Sequence, residues 1–236
     1  MKNKFTRALL AALAFVLVFT TVYFSAIRPW HVRWGASNAE LAAVLPGDGL
    51  FSGQQPAVTH AITIHARPQE IWPWIRQIGQ DRSGFYSYTP LENLIGCEMP
   101  SVHRIEPQWK DRAVGETVWF ATPKHFAGQG RMIAAIVQPE HAFAMVTPND
   151  WQRLHAGGHA QEALWSFTLE PTADGQTRLI ARIRAAPPKS VGQRLASSFF
   201  WEPAHFVMER KMLLTIKKLA EETAQLPPPS GTAALQ

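Results

Sequence analysis

The longest amphipathic pattern in the chain lies near its end. Residues 203–224 open on Pro203, which suits the first position of a helix because its missing N–H is no loss there, and no Gly or Pro follows until Pro227. At about 100° per residue, Trp201, Ala204, Met208, Met212, Leu213, Ile216, Leu219 and Ala220 share one arc, while Arg210, Lys211, Lys217, Lys218 and Glu221 fall outside it. The pattern predicts a helix of about 22 residues, ~33 Å long, with one face for a core. His205 and Glu209 fall near the middle of the apolar arc, one helical turn apart, so two titratable groups point inward.

At the other end, residues 8–27 carry no charge and follow Lys2, Lys4 and Arg7. A run of this length matches a bilayer core of ~30 Å and exceeds the ~7–15 apolar residues of a secretory signal, so it reads as an uncleaved transmembrane anchor. Residues 28–57 read as a linker, with a short helix over 37–44 opened by Ser37 and Glu40 in capping-box spacing. From Val58, His60, Ile62 and Ile64 alternate with Thr59, Ala61, Thr63 and His65, which predicts a strand. Pro68 opens a helix that carries Ile71, Trp72, Ile75 and Ile78 and stops at Gly79. An aromatic loop from Gly84 leads into a short helix over 90–95. Strands follow over 116–122, 130–137, 141–146, 163–169 and 177–185, with an irregular one over 103–109.

Composition narrows this order. With 236 residues and 46% hydrophobic content the chain suits one domain plus appendages: a basic tail (1–7), the anchor (8–27), the linker (28–57), a domain (58–224) and a disordered tail (225–236). The net charge of +5 is spread out, without basic runs interleaved with aromatics, so nucleic acid is not expected as a partner. The slight excess of basic residues before the apolar run predicts a cytoplasmic N-terminus and a domain on the extracytoplasmic side. A single cysteine, Cys97, excludes an internal disulfide.

The element order is α+β, with the last helix packing on a curved antiparallel sheet. Four stretches give it a resemblance: Ala66-Arg67-Pro68-Gln69-Glu70-Ile71-Trp72; Gly84-Phe85-Tyr86-Ser87-Tyr88 with Leu91-Glu92-Asn93; Gly175-Gln176-Thr177-Arg178-Leu179; and Phe206-Val207-Met208-Glu209-Arg210-Lys211-Met212-Leu213. Over residues 57–224 the chain resembles the helix-grip superfamily of START-related lipid-transfer domains, polyketide cyclases and plant pathogenesis-related proteins, the SRPBCC group. The resemblance implies a deep cavity between sheet and C-terminal helix that holds an apolar or aromatic small molecule.

Glu209 is the first candidate, because a carboxylate amid an apolar arc must be paired, protonated or set against a wet cavity. Its structural alternative is an ion pair with Arg182 or Arg184 on the last strand. His205 reads either as a hydrogen-bonded core residue or as a cavity group. Tyr86, Tyr88 and Glu92 are placed by the resemblance near the cavity mouth, with helix packing as their plainer role. Trp119, Phe120, Trp165 and Phe167 either line a cavity or fill it. His155 and His159 flank two glycines, with Glu162 beyond; this spacing argues for a flexible loop gating the cavity rather than a metal site, and no metal or cofactor is expected. The function read from these residues is a membrane-anchored binding module for a hydrophobic small molecule or lipid. The alternative is a cyclase, aromatase or dehydratase type of enzyme, with Glu209 and His205 as acid and base on a ligand held by Tyr86 or Tyr88.

Overall fold

The structure is a computed structural model that describes residues 2–53 and 57–225. Apart from Gln225, the expected disordered tail lies outside the described residues. Six antiparallel strands form one sheet: β1 (Val58–Ile64), β2 (Thr117–Trp119), β3 (Arg131–Gln138), β4 (Ala142–Val146), β5 (Ala163–Pro171) and β6 (Thr177–Ala185), in the spatial order β1-β6-β5-β4-β3-β2. A register shift between Ala134 and Ile136 bends β3 against β4. The C-terminal helix α8 (Glu202–Ala224) crosses one face and packs on β1 and on α4 (Pro68–Arg76). This is a helix-grip fold.

Period-two alternation sorts the strands between two cores. Leu179 and Ala181 of β6 and Trp165, Phe167 and Leu169 of β5 join Met212, Leu213, Ile216 and Ala220 of α8 in the main cluster. Ile180 and Leu164 face the other way. That second face is covered too, which is why all five residues of β4 are buried. Its cover comes from α6 (Pro148–His155) and from residues 36–51, including α3 (Asn38–Ala42).

The segment read as a linker is therefore bound to the sheet. Thr59 and Ala61 of β1 donate backbone hydrogen bonds of 2.9 and 3.1 Å to the carbonyls of Val32 and Trp34. The capping box at Ser37 and Glu40 forms, and the Glu40 carboxylate also accepts from Arg178 of β6. Asp48 accepts hydrogen bonds of 2.6 Å from Arg182 and 2.7 Å from Arg184.

Other expectations change in detail. The strand expected over 116–122 shortens to Thr117–Trp119, and residues 103–109 form no strand. The helix from Pro68 ends at Arg76, before Gly79. Residues 148–155 form a helix that alternation-based reading missed; Thr147 caps it by accepting from the Asp150 N–H, and Asp150 in turn accepts from three backbone N–H groups at residues 161–163.

The N-terminal helix α1 (Lys2–Val22) continues through a π turn at Tyr23–Ile27 into α2 (Arg28–His31). Its 28-residue stretch Lys4–His31 contains an 18-residue window with a mean hydropathy of 2.3 and is long and apolar enough to cross a membrane. The C-terminal helix also starts earlier than its proline suggests: α7 (Val191–Ala196) and a π turn at Ser197–Trp201 run into it without a break. The two π turns meet. Phe199 stacks on Tyr23 at 4.7 Å, the Tyr23 hydroxyl donates to the Ser198 carbonyl, and Arg28 binds Glu202 through hydrogen bonds of 2.7 and 3.1 Å. Trp201, expected on the core face, is 65% exposed, because the buried stripe of α8 begins at Phe206 and runs through Glu209, Met212, Leu213 and Ile216.

Candidate functional site

Alternation on β1 turns His60 toward α8, and helical spacing turns His205 and Glu209 back toward β1. The three meet at the inner face of the grip helix. His60 is fully buried and donates a hydrogen bond of 2.7 Å from Nε2–H to the His31 carbonyl at the end of α2. Its Nδ1 donates to Glu209 Oε2, so both ring nitrogens carry protons and the pair is an imidazolium against a carboxylate. Trp165 donates its indole N–H to the other oxygen, Oε1, at 2.6 Å. His205 Nε2 stands 3.4 Å from Oε2, an ion-pair separation too poorly aligned for a hydrogen bond, and this buried nitrogen has no hydrogen-bond partner.

Burial alone pushes the Glu209 carboxyl up, but the His205 and His60 imidazoles together outweigh it and hold the group well below the usual carboxylate range. For His60 burial pushes the imidazole down, and the hydrogen bond and charge of Glu209 reverse the sign, so its affinity for a proton is raised.

Two cavities adjoin this cluster, and His205 lines both. The inner one, about 240 Å³, lies between α8, the sheet and α5 (Thr89–Leu94), with Phe85, Phe120, Trp165, Met208 and Met212 among its walls. Its polar members are Ser87, Glu92, His205 and Glu209. Glu92 Oε2 is buried without a hydrogen-bond partner, and burial pushes this carboxyl up to about 7. The outer cavity, about 550 Å³, lies at the foot of the apolar helix, among Arg28, His31, Pro187, Arg194, Trp201 and Glu202.

Of the residues singled out from sequence, Glu92, Trp165, His205 and Glu209 come together at the inner cavity. Tyr86, Tyr88 and Trp119 line neither cavity. Tyr86 is buried against Trp74, its hydroxyl accepts a 2.8 Å hydrogen bond from Gln77, and burial raises its pKa to about 12. Tyr88 caps α5 and is 40% exposed; Trp119, near the sheet edge, lies under the Arg131 guanidinium. The loop at residues 155–159 sits behind the sheet, where the His155 ring packs on Trp151, so it gates neither cavity. Arg182 and Arg184 do not reach Glu209: their side chains leave β6 on the opposite face and bind Asp48. The partner that sequence reasoning missed is His60. Its signal was present in the alternation of His60, Ile62 and Ile64, which puts the imidazole on the core face.

No family model matches the chain, and no curated protein matches it. Among solved structures it is similar to a Polyketide_cyc-like protein from Corynebacterium glutamicum, at 17% identity over 72% of this chain and 89% of that one, with a TM-score of 0.31. It is also similar to the Aha1 dimer from Colwellia psychrerythraea, at 18% identity over 70% of this chain and 99% of that one (TM-score 0.36). A conserved protein of unknown function from Enterococcus faecalis gives 15% identity over 75% and 80% (TM-score 0.40). Likenesses this distant add nothing to the site, whose chemistry is read from this chain's own residues.

Proposed function

We propose that the protein is a membrane-tethered binding module that takes a hydrophobic small molecule or a lipid from the bilayer into the space beneath its C-terminal helix. The observation that carries this reading is the placement of the two cavities, one at the foot of the apolar helix and one under α8, with His205 in the wall of each. The exposed side chains of Val191, Leu195, Phe200 and Trp201 beside that foot suit an interfacial position. A tether also keeps the domain at high local concentration beside its ligand's source. An inner space of about 240 Å³ is below the usual range for a whole drug-sized ligand, so it suits a ring or a short stretch of chain, with the remainder in the outer cavity. Glu92, half protonated near neutral pH, supplies a hydrogen bond to an oxygen of the ligand. In this reading the N-terminus is cytoplasmic and the domain extracytoplasmic.

The test is to purify the full chain in nanodiscs, extract it with organic solvent and identify bound molecules by mass spectrometry. A stoichiometric apolar compound, lost in Met208→Trp at an unchanged melting temperature, supports the reading; protein free of bound compound that also fails to bind an apolar fluorescent probe sinks it. Glu92 also favours a second reading, an acid–base enzyme using the same cavity, since a pKa near neutrality suits a general acid. Chemical conversion of the bound compound, abolished by Glu92→Gln, would select that alternative.

A further inference from the structure

We infer that His60, His205 and Glu209 form a binding site for a divalent first-row transition-metal ion of the zinc type. The three potential ligand atoms, His60 Nδ1, His205 Nε2 and a Glu209 oxygen, all lie within 4.8 Å of one another. The 3.4 Å between His205 Nε2 and Glu209 Oε2 is close to the ~3.3 Å edge of a tetrahedron built on metal–ligand bonds of about 2.0–2.1 Å. An ion seated here displaces the Nδ1 proton of His60 to solvent, parts the direct contact of His60 with Glu209, and takes up the buried His205 nitrogen, which has no hydrogen-bond partner.

The surroundings have the form of an outer ligand sphere. His60 is oriented through Nε2–H on the His31 carbonyl, which leaves Nδ1 as the ring atom aimed at the cluster. Glu209 is oriented through Oε1 by the Trp165 indole, which leaves Oε2 for the same point. A structural ion pair explains His60 and Glu209 but leaves the buried Nε2 of His205 without a hydrogen bond. Two imidazoles and one carboxylate are the donors that zinc and its first-row neighbours favour; magnesium and calcium demand oxygen-rich shells. His205 and Glu209 sit one turn apart on α8 and both border the inner cavity, so the open coordination position faces the space where the proposed ligand binds. That last point alone rests on the binding reading above.

The experiment uses the full chain, untagged and stripped with chelator, in detergent. Zn²⁺ titration by calorimetry is expected to give one ion per chain, and Co²⁺ to give the intense visible bands of a four- or five-coordinate ion. His205 is partly exposed, so His205→Ala should fold, as checked by its melting temperature. It should weaken Zn²⁺ at least ~100-fold, since even outer partners of metal ligands cost 10–100-fold. His155→Ala, behind the sheet, should leave affinity unchanged. Absence of saturable Zn²⁺ binding, equal affinity in His205→Ala, loss in His155→Ala instead, or weak octahedral Co²⁺ bands would each overturn the site. Metal binding is scored without any apolar compound, so a failure here leaves the binding reading standing, and an empty cavity in metal-loaded protein counts only against that reading.

Discussion

Arg182 and Asp48 are joined behind the sheet by a 2.6 Å hydrogen bond between Nη1 and Oδ2, and this tie fastens the segment after the apolar helix to the last strand. Arg182 is 1% exposed and also donates to the carbonyls of Ala43 and Glu40. Asp48→Ala leaves a buried guanidinium without its counter-charge, and the expected loss is about 3 kcal/mol in denaturant unfolding of the domain. A loss below ~1 kcal/mol would mean that the two carbonyls suffice.

Glu92 sets a pH dependence. Its folded pKa of about 7 lies above the ordinary carboxyl value of 4.5, so between these values the folded state holds more protons than the unfolded state and stability falls as pH rises. Below that window the group costs nothing; above it the cost is fully present. Allowing for partial solvent screening, Glu92→Gln should recover about 1–2 kcal/mol at pH 8 and none at pH 4. Melting curves at the two pH values check this, and an equal effect at both would contradict the shift.

Gly35 lies where residues 32–34 pair with β1. Its φ is +72°, and a Cβ placed there would stand 2.0 Å from the Ala61 carbonyl oxygen, a backbone atom that cannot step aside. Gly35→Ala is expected to cost at least ~2 kcal/mol and to raise amide exchange at Thr59 and Ala61, whose hydrogen bonds to Val32 and Trp34 flank it. Unchanged exchange at both amides would show that this pairing is not part of the fold's cooperative unit.

Trp165→Phe keeps most of the ring volume and removes the 2.6 Å indole donor to Glu209. A hydrogen bond to a charged group is worth about 1.5–3 kcal/mol, and a loss of that size is expected in the melting transition. A loss under ~0.5 kcal/mol would mean the carboxylate finds another donor.

The positions that could be read from sequence are those where one periodicity dominates. The strands expected over 163–169 and 177–185, the first of which extends to Pro171, the capping box at Ser37 and the inward turn of His205 and Glu209 all follow from spacing alone. The buried face of α8 was displaced at its N-terminal end because Pro203 looks like a helix start, while the real start lies beyond a π turn that shifts the phase of Trp201. The role of residues 28–53 was hidden for a different reason. Their cohesion lies in Asp48, Glu40 and main-chain pairing with β1, whose partners are distant in sequence and leave no local pattern. The pairing of Glu209 with His60 was missed in favour of Arg182 or Arg184, since the choice between the β1 histidine and the β6 arginines depends on which face of each strand meets the helix.

The position of β1 between residues 32–34 and β6 imposes an order in time. As the chain leaves the ribosome, β1 gains its first neighbour within a few dozen residues, but the second waits for Thr177, whose hydroxyl binds the Ala66 carbonyl from 111 residues further along. Until then a β-branched strand keeps an open edge, and neither the sheet nor the grip helix has a complete surface to fold against. Such non-local closure is slow and exposes the nascent chain to mispairing, so a protein ended anywhere before β6 yields a chain in need of a chaperone and not a smaller version of the domain.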